Sequence, residues 1–143
     1  MVKKLSLIQI KKKYASWEKL YKYEEEYYVK RLIEKADTVF ATFIRKRDAF
    51  KGCVSYWAEW CQNNTSQCCH WIWRAFYSHR WDKENCYWGC INCNKYRQEE
   101  HKIFFTRWIV ANKWLKRTDI QLKTRHKDKP WIEYLLKVIE KYS

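Results

Sequence analysis

Hydrophobic positions in the first third of the chain recur every three to four residues. Val29, Leu32, Ile33, Ala36, Phe40, Phe43 and Ile44 form one stripe, the spacing of one buried helix face. This predicts a long helix over about 16–50. Ser16 is a weak start signal, and Gly52 stops the helix. Glu24, Glu25 and Glu26 stand beside Lys30, Arg31 and Lys35 at distances suited to ion pairs one turn apart. Residues 1–13 read as a basic, apolar-mixed arm. Residues 53–69 read as irregular, with a polar turn at 63–66. Residues 69–77 are aromatic and β-branched enough for a short strand, and 81–85 read as a loop. Asn94 opens a second helix, 95–117, with Phe104, Trp108, Ala111 and Leu115 on one side. Residues 117–129 are a polar, basic connector. Pro130 suits the first turn of a closing helix, where Trp131, Leu135, Val138, Ile139 and Tyr142 line one face. There is no internal repeat.

Composition sharpens this outline. The 143 residues suffice for one domain with a modest core. Only two Gly and one Pro appear, which favours long helices over an all-β fold. Thirty Lys and Arg against sixteen Asp and Glu leave a formal charge of +14, so a polyanion is the expected partner, nucleic acid before anionic membrane. Ten Trp and eleven Tyr exceed what a small core hides; some can stack on bases while others replace aliphatic core filler. No apolar stretch reaches the roughly 20 residues of a membrane span, and no secretory leader is visible. Seven cysteines, an odd number, fit thiols held by metal in a reducing cytoplasm better than a disulfide framework.

All seven cysteines lie between Cys53 and Cys93. Cys90-Ile91-Asn92-Cys93 is a knuckle whose two thiols can grip one ion on a tight turn. Structural zinc takes about four N or S ligands, usually as two separated pairs. Upstream stand Cys53, Cys61, Cys68, Cys69 and His70. The preferred zinc set is Cys53, Cys61, Cys90 and Cys93, with Cys68 or Cys69 as alternatives. Cys86, Cys90 and Cys93 also match the CxxxCxxC spacing of radical-SAM enzymes, but the chain is too short for the barrel those enzymes need.

The order of parts is a thiol site, a His ending a strand, an Asn in a loop, then a knuckle opening a helix. That is the layout of an HNH, or ββα-metal, nuclease finger. In such a site a neutral imidazole, here His70, takes a proton from water. A divalent ion, Mg²⁺ or Mn²⁺, neutralises charge at the scissile phosphate. Asn94 is placed to bind that ion or to cap the helix, and Asn85 either orients the base or closes a turn. His101, seven residues after Asn94 and so on the same helix face, is a further possible metal ligand. Arg45, Lys46, Arg47, Arg74, Arg80 and Lys95 are candidate DNA contacts.

The chain resembles the phage NinG family, the lambda Rap-type recombination endonucleases, from about Asp37 onward. The segments that carry the resemblance are Phe40 to Asp48, Cys53-Val54-Ser55, Cys69-His70-Trp71, Arg80 to Cys86, Cys90 to Asn94, and the closing helix with Ile132-Glu133 and Ile139 to Tyr142. The resemblance implies a structure-specific endonuclease that cuts D-loops and Holliday junctions. It also implies a homodimer in the cytoplasm of a phage-infected bacterium. Three departures stand out. Tyr56 occupies the position of a knuckle cysteine, Cys69 that of a glycine, and Glu99-Glu100 that of a Gly-Asn pair.

The expected fold is therefore α+β and mostly α. A small zinc-knuckle, HNH-like finger sits between a long N-terminal helix and C-terminal helices. The expected divisions are a basic helical arm over 1–50, offering a dimerisation face, a zinc-binding core over 51–117, and a loop and helix over 118–143. The alternative function is a non-catalytic zinc-finger DNA-binding recombination accessory protein.

Overall fold

The computed structural model describes residues 6, 8–10, 12, 22–49, 51–54, 61, 65–96, 98–112 and 128–143. Within them the fold is mostly helical, with one small two-stranded antiparallel sheet. Helix α1 spans Lys22–Asp48 and strand β1 spans Thr65–His70. A short helix α2, Tyr77–Arg80, lies between β1 and strand β2, Cys86–Cys90. A π-helical turn over Asn92–Tyr96 leads into α3, Gln98–Asn112, and α4 spans Ile132–Tyr142. No helix among the described residues is long and apolar enough to cross a membrane. The expected start of the first helix at 16–21, Tyr56 and the end of the second helix at 113–117 lie outside the described residues.

The contacts divide the chain into two compact units: residues 1–39 with 130–143, and residues 40–129. The boundary falls inside α1. In the first unit, α1 buries Tyr28, Val29, Leu32 and Ala36, and α4 buries Ile132, Leu135, Val138, Ile139 and Tyr142. Both sets follow helical spacing, the reason these segments were readable as helices. Trp131, extended at φ −70 and ψ 151, precedes α4, and its carbonyl accepts the first helical bond from Leu135 N.

In the second unit the stripe of α1 continues through Phe40 and Ile44 and ends on Asp48, which is 2 % exposed. A charge at that depth needs partners, and it has three, which make four hydrogen bonds. Arg47 donates to both carboxylate oxygens at 2.8 Å. Lys51 donates at 3.2 Å and the backbone N–H of Trp88 at 3.1 Å. Burial works to raise the Asp48 carboxyl, but the bonds and charge of Arg47, with Trp88 N–H and Lys51, hold it below its ordinary value. Gly52, at φ 73, then turns the chain, a conformation that costs glycine little.

Strand β1 pairs with β2 so that Cys68 faces Trp88, Cys69 faces Tyr87 and His70 faces Cys86. The register shifts between Thr65 and Gln67, a bulge that leaves Ser66 as the extra residue. The strand thus covers 65–70, where 69–77 was expected. Residues 71–76 are turn and bend despite their aromatic content. The reason is the partner. β2 is five residues long and pairs only as far as His70; one backbone bond beyond it, Trp71 N–H to the Asn85 carbonyl at 2.9 Å, closes the ribbon before the chain turns.

Side chains alternate across this ribbon. On one face Cys69 and Tyr87 join Val54, Trp71, Ile72, Phe105 and Ile109 in the main apolar cluster. Tyr87 meets Phe105 and Trp108 edge-on at 5.8 and 4.4 Å between centroids, a favourable aromatic geometry. The buried positions of α3 are thus His101, Phe105 and Ile109. The expected stripe of Phe104, Trp108 and Ala111 sits beside that face: Phe104 and Trp108 are half-buried and Ala111 is exposed. Trp71 Nε1 donates to Thr106 Oγ1 at 3.0 Å and ties the β1 exit to α3. On the other face of the ribbon, the His70 and Phe40 rings lie 6.5 Å apart.

Candidate metal centre

Four cysteines converge at one end of the ribbon. Cys53 follows the Gly52 turn, Cys90 ends β2, and Cys93 lies in the π-helical turn. Cys61 completes the group, and all four sulfurs lie within 4.8 Å of one another. Cys61 and Cys90 Sγ are 3.9 Å apart, and Cys90 and Cys93 Sγ 3.2 Å apart. Sulfurs bound at 2.3 Å around a tetrahedral zinc ion stand roughly 3.8 Å apart, so the cluster has about the right span. Cys53, Cys90 and Cys93 are buried and Cys61 is half-buried. The backbone N–H of Cys90 donates to Cys53 Sγ at 3.3 Å, the kind of outer bond that steadies a metal-held sulfur. Burial pushes the Cys93 thiol well up, and the bond to Cys90 and the nearby Cys53 and Cys61 add to it. Thiols crowded this closely ionise together only around a cation. The donor set, its spacing and its burial fit a structural metal such as zinc.

Gly89 makes the packing around this site possible. A Cβ built there would lie 2.6 Å from Cys69 Sγ and 3.4 Å from Cys53 Sγ. Cys69 itself faces the apolar cluster and is fully buried. Burial pushes its thiol well up, helped by Cys53, Cys68 and Cys90. Cys69 is in neither of the groups able to share one ion among the described residues, and the Gly89 contact has no counterpart in the sequence reading.

The second such group is Cys68, His70 and Cys86. The CxxxCxxC run is therefore divided, with Cys86 in one cluster and Cys90 and Cys93 in the other. Both groups are built on sulfur, and neither offers the oxygen-rich set that Mg²⁺ and Mn²⁺ prefer.

His70 is opposite Cys86 at one end of the ribbon, whereas Asn94 follows Cys90 at the other end. Four residues of strand separate those ends by roughly 13 Å. His70 also turns away from the face that meets α3, because its neighbour Cys69 takes that side. Asn85 is fully buried. Its Oδ1 accepts from Ile72 N at 2.7 Å, and its Nδ2 donates to the carbonyls of Ile72 and His79 at 3.0 and 3.1 Å. That amide holds the 71–85 loop, the turn-closing role open to it from the sequence. His101 is buried against Phe105, with ring centroids 5.4 Å apart. Burial, with the charge of Lys102, lowers it to about 4. It stands in neither thiol group.

The basic candidates divide by burial. Arg45, Lys46, Arg74 and Lys95 are exposed. Arg47 is half-buried and turned inward: it holds Asp48, donates to the carbonyls of Lys83 at 2.5 Å and Cys86 at 2.6 Å, and lies 4.7 Å over the Tyr87 ring. Arg80 is 8 % exposed, stacks near Tyr77 and Trp81, and donates to Arg74 O at 3.3 Å. Both guanidiniums are drawn inward because planar cations pair well with carbonyls and rings. No protein-family model, curated protein or solved structure matches this chain.

Proposed function

We propose that this chain is a metal-clasped nucleic-acid-binding protein. Cys53, Cys61, Cys90 and Cys93 hold one structural zinc ion, and exposed cations and rings outside that cluster take a phosphate backbone. The observation that carries the proposal is the exposure of two aromatic–cation neighbours, Trp73-Arg74 in the loop after β1 and Lys95-Tyr96 in the π-helical turn. Trp73 is 69 % exposed and Tyr96 65 %. A bare ring offers a stacking platform to an unpaired base, and the adjacent cation offers a phosphate contact. Arg45 and Lys46 add cations at the surface, on a chain of net charge +14. Branched DNA, the substrate implied by the NinG resemblance, presents unpaired bases at its junction and is the favoured partner.

Hydrolysis of branched DNA by an HNH-like finger is the second reading. One observation favours it: two antiparallel strands lead through a cysteine knuckle into a helix, with His70 closing the first strand. Asn94 would then hold Mg²⁺ or Mn²⁺, and paired incisions would call for a homodimer. It stands second because both groups able to share one ion among the described residues are built on sulfur and imidazole, not on the oxygens that Mg²⁺ and Mn²⁺ prefer.

One experiment tests both. Fluorescence anisotropy with single-stranded, linear duplex and four-way DNA is measured from 50 to 200 mM salt, as order-of-magnitude limits for a steep salt effect. Trp73→Ala is expected to lose roughly 1–3 kcal/mol on single-stranded and junction DNA if a base stacks there. Failure of the wild-type chain to bind any of the three at the lowest salt overturns the proposal. The same samples, incubated with Mg²⁺ or Mn²⁺ and run on denaturing gels, decide the second reading: products from wild type that vanish in His70→Ala establish it.

A further inference from the structure

The ribbon carries a second set of metal-ligand side chains, separate from the four-cysteine cluster. Cys68 and His70 are two residues apart in β1, and alternation sends both to the same face. Cys86 lies directly opposite His70 in the register, on that same face. The ligand atoms of the three lie within 4.8 Å of one another. Cys86 is fully buried, while Cys68 and His70 are half-buried, so the group opens toward solvent on one side.

The imidazole is held at one nitrogen. His70 Nε2 lies 2.9 Å from the carbonyl oxygen of Arg80. A carbonyl can only accept, so Nε2 carries the proton and the lone pair falls on Nδ1. A histidine that binds a metal through one nitrogen and gives its other N–H to a backbone carbonyl is the usual outer arrangement of a metal-bound histidine. The Arg80 carbonyl is fixed in turn. It ends α2, whose residue His79 is tied by Asn85, and Cys86 Sγ lies 3.8 Å from the same oxygen.

We propose that Cys68, His70 and Cys86 form a second zinc site with three protein ligands and a fourth position open to water. Two sulfurs and one imidazole nitrogen suit zinc, and three protein ligands with an open position distinguish such a site from a closed structural one. Binding displaces the thiol protons of Cys68 and Cys86 to solvent and changes no oxidation state. The two sites differ in donor set, S₄ against S₂N. The second does not depend on nucleic-acid binding.

Native mass spectrometry of the full chain, purified reduced and equilibrated with a slight excess of Zn²⁺, is expected to show two ions per chain. Cys68→Ser and His70→Gln each reduce this to one, whereas Cys93→Ser removes the other ion and leaves the second site filled. Circular dichroism identifies any variant that fails to fold. An independent readout uses the wild-type chain alone. In a Co²⁺ titration the second equivalent adds about half the thiolate charge-transfer intensity of the first, because it contributes two sulfurs rather than four. Zn²⁺ also protects Cys68 and Cys86 from alkylation, as mapped on peptides. One ion per wild-type chain, or unprotected Cys68 and Cys86 with the first site loaded, overturns the proposal. So does a Cys68–Cys86 disulfide in reducing buffer.

Discussion

Gly89→Ala should be among the most damaging small substitutions in this protein, and its damage should be repairable at one distant position in sequence. The new methyl would sit 2.6 Å from Cys69 Sγ and 3.4 Å from Cys53 Sγ. Carbon and sulfur do not approach that closely without displacement. Cys69 has no free space to take up, being fully buried beneath the Phe105 and Ile109 cluster. Overpacking of this kind costs about 1–3 kcal/mol. For a chain of this length, 2 kcal/mol lowers Tm by roughly 4–8 °C. Cys69→Ala removes the offending sulfur, and the remaining Cys69 Cβ would lie 3.9 Å from the new methyl, an ordinary contact. The double variant should therefore be more stable than Gly89→Ala alone, with a coupling of about 1–3 kcal/mol in the cycle. Urea unfolding at fixed free Zn²⁺ measures it, since metal loading shifts apparent stability by itself. Additive losses in the two single variants would show that the methyl is accommodated elsewhere, and the reasoning about the ribbon's inner face would fail.

Two other predictions follow from the polar ties. Asp48→Ala leaves Arg47 and the Trp88 N–H without their acceptor and should cost about 3–5 kcal/mol at neutral pH. The Asp48 carboxyl is held below its ordinary value in the folded chain. Its contribution is therefore complete above the unfolded pKa of about 4 and is lost as pH falls through the lower folded value. The gap between wild type and variant in urea midpoint should close only in acid; a gap that stays constant below that range would refute the role of the carboxylate. Asn85→Ala breaks three buried hydrogen bonds and should cost about 3 kcal/mol or more. A circular dichroism melt reads the loss, and an unchanged Tm would mean the loop is held by other contacts.

The long helix was readable because its burial follows the period that its hydrophobic residues announce, from Val29 to Ile44. The closing helix was readable for the same reason. The strands were not. Thr65, Ser66 and Gln67 carry little strand signal, and their pairing with Gly89 and Cys90 is a long-range event that no local pattern encodes. Trp71, Ile72 and Trp73 have the composition of a strand, yet Asn85 fastens that segment as a loop. The four-cysteine cluster could be anticipated, since a CxxC pair demands a second pair. The second cluster was harder to see. Cys68 and His70 alternate in a legible way, but Cys86 joins them only through the register. Arg47 looked like one of three equivalent surface cations, and only the carbonyls of Lys83 and Cys86 distinguish it.

The ribbon between Thr65 and Cys90 is one residue thick, with oily packing on its front and sulfur and imidazole on its back. Its two chemistries are told apart by nothing but odd and even numbering. Deleting Cys68 would move Cys69 to the back and His70 to the front, turning the protein inside out at its centre. Trimming two strand residues that are neither ligands nor core would shorten the ribbon yet keep each flank's chemistry. Over evolutionary time this segment should therefore change length in steps of two, if it changes at all.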